Sequence, residues 1–197
     1  MVVVIAIIGI LSAVLLPNAF KQIEKSRVAR TAEDMKSIKT GTLMYYSDTS
    51  KWPRNQYILN IRNSLMQNIE GVDDWDGPYL ENYGKSPLVR DRIPGMAHPG
   101  WYYIWGRHHD SGWQYFRFNL DGSGSGGVGD CEILDGISVS LYGITEHEAM
   151  MLDRIFDGEG KRGYYGTMNV VGGGTRYWLI SLFIGQTGFE GGMGDGY

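Results

Sequence analysis

The chain opens on twenty residues, Met1 to Phe20, that carry no charged side chain; Ser12 and Asn18 are the only polar ones. At ~1.5 Å rise per residue, a helix of that length spans roughly 30 Å, the hydrocarbon thickness of a bilayer. The run is apolar on every side, so no single face belongs to a soluble core. Three readings compete. A cleaved secretory signal lacks its basic leading region and its A-x-A site here. A plain membrane anchor satisfies the length. The third is a helix that sits in the membrane first and later packs against copies of itself. Pro17 cannot donate a bond to the carbonyl four residues back, and Gly9 adds backbone freedom, so a helix with both is ready to bend or unwind between them. A merely kinked anchor uses the same two residues.

Charges begin at Lys21 and stay frequent. Residues 21–46 contain no proline, and Val28, Ala32, Met35, Ile38, Thr42 and Tyr45 recur at spacings of three and four. That draws one apolar stripe on a charged helix, with Arg27, Arg30, Glu33, Asp34, Lys36 and Lys39 off the stripe. The expectation is one helix with two halves: residues 1–20 apolar all round, and residues 21–50 amphipathic and lying on the rest of the chain. Ser47-Asp48-Thr49 and then Lys51-Trp52-Pro53 end it.

Residues 51–197 read as a globular head. Ile58, Ile61, Leu65 and Ile69 predict a short second helix over 54–70. Strands are expected at 100–106, 113–120, 131–143 and 176–183, from aromatic and β-branched runs between turn residues. Thr145 and Glu148 form a capping box ahead of a helix at 144–157. The fold class is therefore α+β: a long N-terminal helix packed against a small antiparallel sheet, with a Gly-rich C-terminal extension. The region from about 137 to 197 reads as an addition to that plan.

Composition sharpens the picture. The chain has 29 Gly, 13 Tyr and 6 Trp, nearly all of them past residue 50, so the head reads as loop-rich and packed by aromatics. A net charge of −4 leaves no basic stripe to neutralise phosphates, which argues against nucleic acid as a partner. The single cysteine, Cys131, permits no internal disulfide and reads as a small buried residue.

The segment VVVIAIIGILSAVLLPNAF resembles the N-terminal segment of type IV pilins and type II secretion pseudopilins, which carry a Gly and a Pro at the spacing of Gly9 and Pro17. The Gly-Pro-Tyr-Leu at 77–80 is similar to a segment of the major pseudopilins. On that register the family's first five residues, including its glutamate, have no counterpart here, so the peptidase site and methylated N-terminus map onto no residue present. The resemblance implies a filament subunit that polymerises through Val4, Ile7, Ile8, Gly9, Ile10, Leu11, Val14, Leu15, Leu16, Pro17 and Phe20. It implies copies of itself as partners, together with an inner-membrane assembly platform and a prepilin peptidase. The chain would reside in inner-membrane lipid before assembly and then in a cell-surface or periplasmic filament. The rival expectation is a membrane-anchored binding or adhesin module that never polymerises.

The loop 119–130 is the best candidate for bound chemistry. Asp121, Ser123, Ser125 and Asp130 place oxygens along a flexible Gly-rich loop, as a calcium ion with six to eight oxygen ligands requires. The resemblance supports calcium there, because major pseudopilins bind it at an Asp-Gly loop that Asp121-Gly122 matches; the alternative is a solvated Gly/Ser turn. Asp73, Asp74 and Asp76 read as a turn. HExxH, GxSxG and phosphate-loop patterns are all missing, so the expectation is that the protein is no enzyme. The six tryptophans fit a packed head or subunit contacts better than sugar stacking.

Overall fold

A computed structural model of the chain describes residues 2–54, 56–58, 63–81, 84–88, 100–105, 118–121, 124, 131–133, 136–158, 163–165, 167–172 and 178–186. A single helix, α1 (Val2–Thr49), runs through both halves and is unbroken at Pro17. It stops where Ser50 turns left-handed, at φ 54°. The Ser50 N–H still donates to the Tyr46 carbonyl at 2.8 Å, and the Thr49 hydroxyl donates to the Tyr45 carbonyl at 2.7 Å. Pro53 lies just beyond.

The sheet has six strands: β1 (Gln56–Tyr57), β2 (Tyr102–Trp105), β3 (Gly136–Ile144), β4 (Gly163–Tyr165), β5 (Met168–Gly172) and β6 (Trp178–Gln186). The second helix, α2 (Glu146–Phe156), lies between β3 and β4 in sequence. The strand order is β1-β2-β3-β6-β5-β4, and every pairing is antiparallel. The strands between Gly136 and Gln186, read from the sequence as part of an addition, thus supply the middle of the sheet as well as one end.

One face of the sheet carries Tyr102 and Ile104, then Ile137, Val139 and Leu141, then Ile180, Leu182 and Ile184, then Met168 and Val170, all buried. Val28, Ala32, Met35, Ile38 and Tyr45 of α1 join them in one core. These are five of the six stripe residues the sequence picks out; the sixth, Thr42, is equally buried and spends its hydroxyl on the Ile38 carbonyl at 2.8 Å. The helix α2 packs on α1 and β5. Its capping box is present: the Glu148 N–H donates to the Thr145 hydroxyl at 3.3 Å, and the Thr145 N–H donates to the Glu148 carboxylate at 2.7 Å.

The other face is also covered. Ser138, Ser140 and Ser181 are buried there, with the Ser140 and Ser181 hydroxyls 2.7 Å apart. Phe118, fully buried, sits 4.9 Å from the Phe183 ring and forms a β-bridge with Ile133. The strand expected over 113–120 is described only from Phe118 onward; 113–117 lie outside the described residues.

The helix expected over 54–70 is not formed. Gln56 and Tyr57 are a strand, and 63–70 are turns; 59–62 lie outside the described residues. Short polar side chains take the backbone groups a helix would need. The Gln56 side-chain amide oxygen accepts from the Ser64 N–H at 2.8 Å, and the Asn63 side-chain amide oxygen accepts from the Leu65 N–H at 3.1 Å. Ile58 and Leu65 are buried while Ile69 is exposed, so the apparent stripe has no common face.

The turn at 79–80 presses onto α1 at Gly41. A Cβ there would lie 2.9 Å from both the Leu80 side chain and the Tyr79 carbonyl oxygen. Alanine favours a helix over glycine by about 1 kcal/mol, but overpacking costs about 1–3 kcal/mol. Gly41→Ala is therefore expected to lower the melting temperature, read by thermal unfolding, whereas the same change at an open helical glycine would raise it.

Candidate assembly interface

The described side chains of the apolar half of α1 are exposed, and at its upper end Phe20 borders the head, lining a cleft with Leu88 and Glu148. The first deeply buried residue is Val28, at 1% exposure, while Val2 is 81% and Leu15 63% exposed. Val4, Ile7, Ile8, Ile10, Leu11, Leu16 and Phe20 are likewise exposed, and Gly9 and Pro17 lie among them on the same free helix. The Val14 side chain lies outside the described set. Among the described residues, α1 is the one helix long and apolar enough to cross a membrane. All the residues expected to form the filament core therefore sit on one protruding rod. A soluble single chain would leave this surface in water at a cost of ~1.5–3 kcal/mol for each large side chain. Lipid or other chains packed on it would remove that cost.

Below the head the helix carries Lys21, Glu24, Lys25, Arg27 and Arg30. Within this neck, His147 at the start of α2 lies 3.9 Å from Glu24, both exposed. Further up, the amphipathic half is fastened to the head by polar bonds as well as by its stripe. Tyr102 on β2 donates its hydroxyl to Asp34 at 2.7 Å, and Thr31 meets Ser86 at 3.0 Å. Burial pushes the Asp34 carboxyl above its ordinary 3.8, against the lowering effect of the Tyr102 bond; burial and Asp34 together push Tyr102 up. A raised carboxyl binds its proton more tightly in the folded state than in the unfolded one. Stability therefore falls as pH rises from about 3.8 through the raised value, then levels off. Asp34→Asn keeps an acceptor for Tyr102 and removes this slope, which melting curves across that interval will show.

A groove of about 620 Å³ runs beside α1, between Arg30, Lys36 and Met44 on the helix and Tyr79, Glu81 and Lys85 on the 79–87 segment. Its lining mixes both signs of charge with apolar groups. Met44 in its wall is 53% exposed.

The loop expected to hold calcium is described in part. Asp121 lies in a turn; Ser123, Ser125 and Asp130 lie outside the described residues. Glu132 stands beside the turn, and its Oε2 accepts the Leu120 N–H at 2.8 Å. Two carboxylates alone fall short of calcium's six to eight oxygens. Among the described residues, no three His, Cys, Asp or Glu side chains converge as metal ligands. Asp73 and Asp74 are exposed in a turn, as expected, and the exposed Asp76 follows it, its N–H donating to the Tyr79 hydroxyl at 2.9 Å. Cys131 is half-buried where a buried residue was expected. Trp52, Trp75 and Trp178 pack against the core. His98, His108, His109 and Trp113 lie outside the described residues.

Sequence reasoning missed the neck's contact with the head and the groove beside α1. Both depend on where 79–88 and α2 return to the helix, and no local pattern signals that. No curated protein and no solved structure matches the chain. Residues 22–91 match the family model described as PilW, C-terminal, a family associated with type IV pilus biogenesis. The match starts just past the apolar run and includes the Gly-Pro-Tyr-Leu segment at 77–80. The match covers about a third of the chain, and it points to a pilus-related family without singling out major pilins.

Proposed function

We propose that the chain is a structural subunit of a helical filament, in a type IV pilus or a type II secretion pseudopilus, and that it has no catalytic role. The observation that carries this reading is the uncovered apolar half of α1, rigidly continuous with a helix whose other half is locked into the head. Before assembly, inner-membrane lipid covers that half. In the filament, the same half of neighbouring copies covers it. Lipid already shields the apolar area, so the net drive comes from helix packing, head contacts and charge pairing at the neck. Repeating one head-to-tail contact that does not close produces an open filament. The interval from Gly9 to Pro17 loses its regular hydrogen bonding on assembly, since Pro17 already withholds one bond there.

Negative-stain images of sheared surface material test this directly. Thin filaments that bind an antibody against the head are expected. The chain confined to membranes, with no filament labelled, would favour the non-polymerising anchored module instead.

Calcium at the 119–130 loop belongs to the same proposal, supported by Asp121 in a turn with Glu132 beside it. A chelator is expected to lower the melting temperature of the chain, and Asp121→Ala is expected to abolish that response. A chelator without effect on the unaltered chain ends the calcium proposal.

A further inference from the structure

A cleft of about 340 Å³ lies beneath the head, lined by Phe20, Ile23, Glu24, Arg27, Leu88 and Glu148. Its position and its chemistry point to one ligand.

The position follows from the sequence boundary. Phe20 ends the apolar run and Lys21 is the first charge. With residues 2–20 across the hydrocarbon, Glu24 and Arg27 stand about 6 and 11 Å above its edge. Side chains on a helix lean toward its N-terminus, so both reach back toward the lipid headgroups.

The chemistry is mixed in sign. Arg27 supplies one guanidinium; Glu24 and Glu148 supply two carboxylates; Phe20 and Ile23, at 66% and 47% exposure, supply apolar wall. One Glu148 oxygen caps α2, and His147 stands at the rim, 3.9 Å from Glu24. An anionic headgroup would meet two carboxylates for each guanidinium. A headgroup carrying both a phosphate and a primary ammonium meets each sign with its opposite. Arg27 holds the phosphate through paired N–H donors, and the carboxylates accept from the ammonium. A quaternary ammonium has no N–H to give them.

We propose that this cleft binds the headgroup of a phosphoethanolamine lipid, with the upper acyl chain along Phe20 and Ile23. The proposal rests on the reading that residues 2–20 lie in a membrane before assembly. Bound this way, the lipid holds the head against the leaflet, and it must leave before the neck charges can meet a neighbouring copy.

The test uses the full chain reconstituted into vesicles of phosphatidylcholine alone, or with an equal share of phosphatidylethanolamine or phosphatidylglycerol. Flotation measures insertion, and native mass spectrometry of the released protein measures retained lipid. Preferential retention of phosphatidylethanolamine is expected. Arg27→Ala and Glu24→Gln, both at sites open to solvent, should each lower that retention about tenfold with flotation unchanged. Soluble glycerophosphoethanolamine added to phosphatidylcholine vesicles should not be retained, because it lacks the acyl contact. Equal retention of all three lipids, preference for phosphatidylglycerol, retention of the soluble headgroup, or indifference to both substitutions would overturn the proposal while leaving insertion intact. Failure to float in any vesicle would overturn the membrane reading beneath it.

Discussion

On the proposed function, Ile8→Asp is expected to remove the chain from both membrane and filament. Ile8 sits near the middle of the apolar run and is 58% exposed, touching nothing in the head. An aspartate at the centre of a spanning helix costs about 3 kcal/mol on insertion scales. No cation lies within residues 2–20 to pair with it. In a homopolymer the same penalty recurs in every copy, so its effect on assembly is multiplied along the filament. Membrane fractionation should show the chain displaced toward the soluble fraction, and sheared preparations should contain no filaments. The melting temperature of the head should not move, because the site is remote from it. Filaments of normal number in this variant would mean that the apolar half is not the shared spine.

Ile38→Ala has the largest expected effect on the head itself. Ile38 is fully buried at the centre of the stripe that seats α1 on the sheet. Truncating such a side chain costs about 2–5 kcal/mol, from lost transfer energy and the cavity left behind. For a chain of this size that lowers the melting temperature by roughly 10 °C. Ile38→Leu keeps the volume and should cost less than about 1.5 kcal/mol. The two variants separate loss of volume from change of shape. They also separate the roles of the two halves of α1: Ile38→Ala weakens the head while leaving insertion of residues 2–20 untouched.

The long helix was legible because its signals are local and repeated. Twenty uncharged residues followed by a stripe at three- and four-residue spacing admit few other structures. The capping box at Thr145 and Glu148 is equally local, and it marks the start of α2 correctly. Strands β2 and β6 announced themselves through apolar and aromatic runs. Other parts depend on distant partners. The spacing of Ile58, Leu65 and Ile69 imitates a helix, yet Gln56, Asn63 and Ser64 divert the backbone into turns that only the fold shows. Strands β4 and β5 are short and bounded by glycines, so their pattern is weak. Ser138, Ser140 and Ser181 alternate with aliphatics as if one face of the sheet met water. That face is covered instead, and the hydroxyls satisfy one another. The C-terminal region reads as an addition because it follows the strands already counted, whereas β3 and β6 form the centre of the sheet.

For the assembly interface, the sequence identified the apolar surface but not what covers it. Exposure in the single chain shows that the head does not. The match over residues 22–91 concerns the amphipathic half and the turns that fold back onto it, and so bears on the pilus connection independently of the apolar run.

The most direct measurement is a helical reconstruction of the filament at a resolution that traces α1. Residues 2–20 of every copy are expected to lie buried at the filament axis, with heads outside and the helix locally unwound between Gly9 and Pro17. A filament whose axis excludes these residues, or one from which the chain is missing while it remains in the membrane, would contradict that expectation.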